Sequence, residues 1–357
     1  MQRRPLRCLI AAGGTAGHVL PALAIAEALQ QRGVHVTWAG SPDRVEARLV
    51  PEAGIAFDGF RISGFPRRPG LKLARALLTA AASPFACLRI LARRQPDVVL
   101  GGGGYVAGPM VLAARLRGIP AALTEADAEL GLANRLAAPF ARRLFLAFPV
   151  AGVDGPKVRV LGRPIPARSQ AAAVSRTEAR ALFGLPAAGP VLLVFGGSQG
   201  ARALNELVVE AFGEDASVAV LHLCGERDFA ALAPRVSRPG YRLIAFTNDF
   251  GAALAASDLT IARSGGSVWE VAAAGVPAIL VPYPHATADH QTKNARWFEQ
   301  GGGAMLVPES ELARVPALVR ELLADPARLA ALRAGMLREA RPGAAAAIAE
   351  ELIALAG

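Results

Sequence analysis

One local pattern occurs three times in this chain and limits the architectures open to it. An apolar strand-like run ends in glycines, and a helix-like stretch follows. The copies are RCLIAA-GGTAGH-VLPALAIAEALQQRG from Arg7 to Gly33, PDVVL-GGGGYVAG-PMVLAARLRG from Pro96 to Gly118, and VLLVF-GGSQGA-RALNELVVEAF from Val191 to Phe212. In each helix-like stretch Leu, Ile or Val returns every three to four residues, the spacing a helix needs to lay one face on a sheet. Further buried-type runs, VHVTWAG, PAALTEA, KVRVLG, VAVLHLCG and PAILVP, continue the alternation. Strands alternating with helices imply βαβ units and parallel sheets.

The chain's 357 residues are too many for one ordinary core and suit two domains. The repeat restarts at Val191 after the proline-rich stretch PVAGVDGPKVRVLGRPIPARSQ (Pro149–Gln170), whose second half reads as an inter-domain hinge. TEARALFGLP after it reads as a capped helix closing on Gly184, and the C-terminal segment reads as helices punctuated by Pro326 and Pro342. The expected division is residues 1–163, 164–340 and a last helix, 341–357, that packs back on the first domain. The expected fold class is α/β, two Rossmann-like domains whose parallel sheets face each other across a cleft. In such open sheets, ligands bind at the carboxyl ends of the strands, where the glycine loops lie.

A chain that is 53% hydrophobic and 19% charged is globular. Its net charge of +10 suits acidic partners, meaning nucleic acid, anionic lipid or phosphorylated ligands, although a coding bias toward Arg also produces it. No aromatic-plus-basic RNA-binding signature or zinc-finger spacing is present, so no nucleic-acid partner is expected. Cys8, Cys87 and Cys224 are far apart and form no CxxC pair, which argues against a disulfide framework or a metal site. MQRRPLRCLIAAGG has too short an apolar core for a signal peptide. No stretch approaches the ~20 apolar residues of a membrane span. The expected protein is soluble or membrane-peripheral.

Glycines at a strand-to-helix turn let a ligand approach backbone N–H groups at the positive end of a helix, so all three loops are candidate anion sites. A Walker A loop is excluded, because the chain has no Gly-Lys dipeptide. Gly102–Ala107 satisfies the dinucleotide pattern G-x-G-x-x-A with Glu125 about 20 residues on, but it lies in the second unit of its domain and not at the first βα turn, and Pro109 crowds the helix start. A different carboxylate is more informative. IARSGGSVWEVAAAGVPAILVP reads as strand, glycine turn, short helix, Gly275 cap and strand, with Glu270 near the turn. A carboxylate there repels phosphate but accepts two hydrogen bonds from the cis-diol of a ribose. Glycine loops for a diphosphate and a carboxylate for a ribose make a nucleoside-diphosphate site.

At GGTAGHVLPALAIAEAL, GGGGYVAGP, GGSQGARALN and AAAGVPAILVPYPHATADHQTKNA the chain resembles the MurG family of bacterial glycosyltransferases, with the motifs in the family's order over nearly the whole length. The resemblance implies the GT-B fold and inverting transfer of N-acetylglucosamine from its UDP donor to the 4-hydroxyl of the muramoyl sugar of lipid I. Lipid I is the undecaprenyl-pyrophosphate-linked acceptor, and the product is lipid II, the peptidoglycan precursor. It further implies a peripheral place on the cytoplasmic face of the cell membrane and no cofactor or metal. Residue by residue, it implies that Thr15, Ala16 and Gly17 lie near the donor sugar and diphosphate. His18 would be the acceptor-side catalytic group or a positioning residue. Gly103, Gly104 and Tyr105 would lie on the acceptor side, with Glu125 and Asn134 as polar residues of the same domain. Ser198 would bind the diphosphate, with Gln199 and Asn205 close by. In the loop from Arg263 through Gly266 and Ser267, Glu270 would hold the ribose, and Gln291 and Asn294 would contact the sugar hydroxyls.

The sequence departs from the family pattern at several donor contacts. Asp127 replaces an amide that normally touches the donor sugar. Pro166 stands where an Arg is usual, leaving Arg163 or Arg168 to substitute. Thr247 replaces an apolar uracil-side residue, and the Arg263–Glu270 loop is one residue short. Two groups are candidates for the base that deprotonates the acceptor, His18 and Glu125. Ile62–Arg94, where Leu71, Leu73, Leu77, Leu78 and Phe85 interleave with Arg67, Arg68, Lys72 and Arg75, is the expected docking face for anionic inner-leaflet lipid. The rival readings are another GT-B UDP-sugar:lipid transferase, a UDP-N-acetylglucosamine epimerase, and a catalytically silent nucleotide-sugar binder.

Overall fold

Apolar runs without polar alternation need cover on both faces, and helices supply it in two separate units. The computed structural model describes the chain apart from residues 1–3, 63–69, 170, 172–173 and 198–199 and the side chains of 71–78, 80–81 and 168. The units are Met1–Pro166 with Pro342–Gly357, and Ala167–Arg341.

The first unit runs β1 (Arg7–Ala11), α1 (Ala16–Gln30), β2 (His35–Gly40), α2 (Glu46–Glu52), β3 (Ala56–Gly59), α3 (Leu71–Arg94), β4 (Val98–Gly101), α4 (Ala107–Leu116), β5 (Ala121–Glu125), α5 (Leu132–Ala137), β6 (Arg143–Leu146) and β7 (Val158–Val160). Every strand pair is parallel, in the order β3-β2-β1-β4-β5-β6-β7. Successive residues of β1 serve opposite faces. Cys8 and Ile10 pack with Ile25 and Leu29 of α1, whereas Leu9 and Ala11 pack with Leu91, Met110 and Val111 of α3 and α4. Each such fully buried aliphatic side chain contributes roughly 1.5–3 kcal/mol. At the sheet edge Asp58 of β3 is buried and pairs with Arg93 and Arg94, fixing the end of α3.

The second unit runs α6 (Arg176–Leu182), β8 (Val191–Phe195), α7 (Arg202–Phe212), β9 (Ala219–Leu223), α8 (Glu226–Leu232), β10 (Tyr241–Ile244), α9 (Phe250–Ala255), β11 (Leu259–Ala262), α10 (Val268–Ala274), β12 (Ala278–Leu280), α11 (His290–Gln300), β13 (Ala304–Leu306), α12 (Val315–Leu323) and α13 (Pro326–Glu339). Its parallel order is β10-β9-β8-β11-β12-β13. Ser175 and Glu178 close a capping box on α6. Gly275 ends α10 at φ 64°, where a Cβ would also lie 2.9 Å from Leu337.

The last helix, α14 (Ala344–Ala356), belongs to the first unit. It packs on α1 and β4 through Ile348, Ala349 and Leu352. Arg32 and Arg143 bond Glu350 and Glu351 at 2.9 and 3.0 Å. Strands β3, β6, β10 and β13 are not among the runs expected from sequence. Each has only three or four residues, and β3, β10 and β13 are edge strands that bury one face incompletely.

Candidate active site

In both sheets the strand order reverses beside the first strand of the unit, β1 against β4 and β8 against β11. Loops leaving two such strands part in opposite directions and open a crevice at their carboxyl ends. In the first unit the GGTAGH and GGGGY loops meet there, with Gly13 N–H donating to Gly103 O at 3.3 Å. Gly103 (φ 101°) and Gly104 (φ 77°) are obligatory. A Cβ on Gly103 would lie 2.7 Å from the His18 ring, and one on Gly104 would lie 2.2 Å from the Gly13 carbonyl.

Sequence reasoning missed the residue beneath these loops. Glu46 of α2 is fully buried and accepts from Gly14 N–H and Ser41 N–H, both at 3.0 Å. A Cβ at Gly13 would sit 2.1 Å from its carboxylate, so the glycine and the acid require each other. The signal available was Gly40-Ser41 followed by an acid five residues on, the glycine turn after β2.

His18 is half-buried in the first turn of α1. Its Nδ1 lies 3.3 Å from the Thr15 hydroxyl. Burial first, and then the Arg163 guanidinium, hold its pKa below the ordinary imidazole value; Asp127 opposes them. The ring is therefore neutral at neutral pH and able to take a proton. Arg163 donates to Gly17 O at 2.6 Å. Gly17, His18, Thr124, Glu125, Ala126 and Arg163 enclose a crevice of about 10 Å³. That is space for one water and too little for a sugar or nucleotide. Thr15, Ala16 and Gly17 are at least partly exposed, and Tyr105 is exposed.

Two expectations for the first unit change. Glu125, a candidate base, is buried, and its carboxylate accepts from Ala126 N–H, Asp127 N–H, Gly131 N–H and the Asn134 amide at 2.9–3.4 Å. Burial raises its pKa against those hydrogen bonds. With its lone pairs committed to four donors, it shapes the loop from 125 to 131 and is not placed to take a substrate proton. Asn134 is itself buried, its NH2 given to Thr124 O and Glu125, both at 2.9 Å, so it is no donor-sugar contact. Arg168 cannot be compared with Arg163, because its side chain lies outside the described residues.

In the second unit Gly197 (φ 88°) and Gly200 (φ 72°) turn the loop between β8 and α7. Ser198 and Gln199 lie outside the described residues. Asn205 is 1% exposed and bonds Cys224 O, Asp228 and His222, which corrects its expected place beside the diphosphate. Arg263 also turns inward. It donates to Val281 O and Pro282 O, pairs with Glu309 and covers the Tyr283 ring. Only the backbone after it can face a ligand. Asn294 is fully buried and holds Ser264 O at 3.0 Å, so its expected sugar contact is replaced by a structural one. Gln291 takes Tyr283 N–H on its Oε1 at 2.9 Å and keeps its Nε2 3.9 Å from where a Gly265 Cβ would be. Gly266, Ser267 and Glu270, in and before the first turn of α10, are half-buried. The Thr247 hydroxyl accepts Asp249 N–H at 3.0 Å, and Phe246 beside it is exposed.

The sequence patterns of the glycosyltransferase family 28 N-terminal and C-terminal domains match residues 8–146 and 191–348. A curated relative from Halorhodospira halophila is 41% identical over 96% of this chain and 97% of its own. One from Halothermothrix orenii is 36% identical over 95% and 96%. Both are named UDP-N-acetylglucosamine–N-acetylmuramyl-(pentapeptide) pyrophosphoryl-undecaprenol N-acetylglucosamine transferase. The chain belongs to the MurG family. The solved MurG of Acinetobacter baumannii superposes with a TM-score of 0.80 at 30% identity, covering 98% of this chain and all of that one. The two parallel-sheet units are thus those of a GT-B glycosyltransferase. A putative UDP-N-acetylglucosamine 2-epimerase from Listeria monocytogenes aligns with a TM-score of 0.70 at 14% identity, which is likeness of fold alone.

Arg163 reaches the backbone of Gly17, and Pro166 ends the first unit. Of the expected docking segment, residues 63–69 and the side chains of Leu71, Lys72, Leu73, Arg75, Leu77 and Leu78 lie outside the described residues. Phe85 of α3 is exposed, and so are Leu116, Leu132, Leu136 and Phe140 on or beside the adjoining α4 and α5. Arg89, Arg115, Arg117, Arg135 and Arg142 are exposed among them. Among the described residues no helix is long and apolar enough to cross a membrane, and no group of three or more His, Cys, Asp or Glu is arranged for a metal.

Proposed function

We propose that this protein transfers N-acetylglucosamine from UDP-N-acetylglucosamine to the 4-hydroxyl of the muramoyl sugar of undecaprenyl-pyrophosphoryl lipid I, yielding lipid II. The observation that carries the reading is near-full-length identity of 36–41% to transferases named for that donor and acceptor. In the reaction the acceptor oxygen bonds the anomeric carbon as the bond to UDP breaks, and configuration inverts. The second unit takes the donor. N–H groups of the Gly196–Ala201 loop and the start of α7 receive the diphosphate charge that develops on the leaving group, without a metal. Glu270 accepts the ribose hydroxyls, and the Gln291 Nε2 reads the hexose.

The first unit takes the acceptor. His18 removes the 4-hydroxyl proton, a role supported by its neutral state and by its place at the rim of two touching loops. Asp127 lies close enough to oppose the effect of Arg163 on it. The exposed apolar residues of α3, α4 and α5, interleaved with arginines, bring the enzyme to anionic lipid on the cytoplasmic face of the membrane, where a polyprenyl acceptor resides. Nucleic acid has no part in this reading. Purified protein given radiolabelled UDP-N-acetylglucosamine and a lipid I analogue should form a labelled disaccharide-lipid. Label in a free epimer would establish the epimerase reading instead, and donor binding without turnover would establish a silent binder.

A further inference from the structure

The second unit contains a buried polar chain that no step above uses. Asn205, His222, Tyr241 and Asp228 are all at most 6% exposed. The bonds have one consistent direction. Both oxygens facing Asn205 Nδ2 are acceptors, Cys224 O at 2.8 Å and Asp228 Oδ2 at 2.9 Å, which fixes the amide orientation. Its Oδ1 therefore accepts from His222 Nε2–H at 3.0 Å. His222 Nδ1 then carries no hydrogen and accepts the Tyr241 hydroxyl at 2.8 Å. Arg227 completes the chain on Asp228 at 2.9 Å. Tyr241 lies on β10, His222 on β9 and Asn205 in the first turn of α7, so the chain ties three elements on the β10 side of the sheet.

Its output is a single carbonyl. The Cys224 oxygen, held by Asn205, is so near the loop that a Cβ on Gly200 would lie 2.2 Å from it. Gly200 in turn donates its N–H to Gly197 O at 2.9 Å, between β8 and α7. A one-residue error in any donor of the chain leaves a buried polar atom unpaired and lets Cys224 and α7 shift.

We infer that Asn205, His222 and Tyr241 are positioning residues for the donor diphosphate, holding Gly200 ahead of α7 through the Cys224 carbonyl without touching the ligand. The inference rests on the donor site proposed above. Full-length His222→Leu, His222→Gln and Tyr241→Phe are compared with wild type for UDP binding by calorimetry and for donor and acceptor KM. His222→Leu should weaken UDP binding and raise the donor KM about tenfold, as a small misplacement of binding groups does. The acceptor KM should stay unchanged. His222→Gln, whose amide NH2 reaches the place of Nε2–H, should recover most of the loss. Tyr241→Phe, which keeps the packing, should weaken UDP binding in the same direction and serves where His222→Leu does not fold. Folded Tyr241→Phe and His222 variants that bind UDP as wild type does, even with lowered melting temperatures, would overturn the inference. Wild-type protein that fails to bind UDP would overturn the donor reading beneath it.

Discussion

Gly103 and His18 share one space: the ring of His18 lies where a side chain on residue 103 would begin, 2.7 Å from an added Cβ. The φ of 101° at Gly103 adds backbone strain to any substitution. Gly103→Ala should therefore displace the imidazole and lower kcat at least tenfold, with a stability loss of about 1–3 kcal/mol. Thermal unfolding and turnover measured on the same sample check both parts.

His18 should govern the acid limb of the reaction. Its pKa is depressed, so the ring stays neutral through pH 7 and protonates only below the ordinary value of 6.5. Turnover should be flat near neutrality and fall in more acidic solution. His18→Ala should lose roughly 10²–10⁴ in kcat, the usual worth of a general base. Arg163→Gln removes a positive charge that depresses the ring, so the acid limb should move to higher pH. A pH profile of kcat for the three proteins tests this, and full turnover by His18→Ala would remove the residue as base.

Glu270→Ala should raise the KM for UDP-N-acetylglucosamine by about 10–100-fold, the effect of losing hydrogen bonds to a charged group. The control is 2′,3′-dideoxy-UDP, which lacks both hydroxyls. Wild type and Glu270→Ala should bind it equally, and a difference that persists would assign the carboxylate another role.

Leu116→Glu with Leu136→Glu should abolish sedimentation with vesicles containing anionic lipid while leaving UDP affinity unchanged. Both side chains are exposed, so little folding stability is at stake. Vesicle binding at the wild-type level would end the docking proposal.

His222 makes the second unit acid-labile. Burial lowers its pKa from 6.5 to about 3. Between those values the unfolded chain binds a proton that the folded one refuses, so stability is lost as pH falls, by about 1.4 kcal/mol per pH unit. Denaturant unfolding of wild type and His222→Gln across pH 4–7 should show this slope in wild type and its loss in the variant.

Much of the architecture was legible because glycine loops and apolar runs are local signals. The turn from β11 through α10 to Gly275 and β12 could be read directly from IARSGGSVWEVAAAGVPAILVP. What stayed hidden depends on partners distant in sequence. Glu46 looks like a surface acid until the Gly14 N–H, 32 residues away, closes on it. Asn205 and Asn294 sit in motifs that suggest ligand amides, but carbonyls at Cys224 and Ser264 claim them once the sheets form. Arg263 likewise gives its fork to the carbonyls after β12. Strand β10 was missed because an edge strand of four residues with three charged or half-exposed positions carries no period to detect.

Helix α14 supplies Ile348 and Leu352 to the core that also holds α1. Residues 167–341 are thus spliced into a body whose last piece is made only after all of them. On the ribosome, the amino-terminal body must wait, with the seat for α14 uncovered, while some 175 intervening residues emerge and fold. A chain cut short after Arg341 would keep all three glycine motifs and still leave that seat bare.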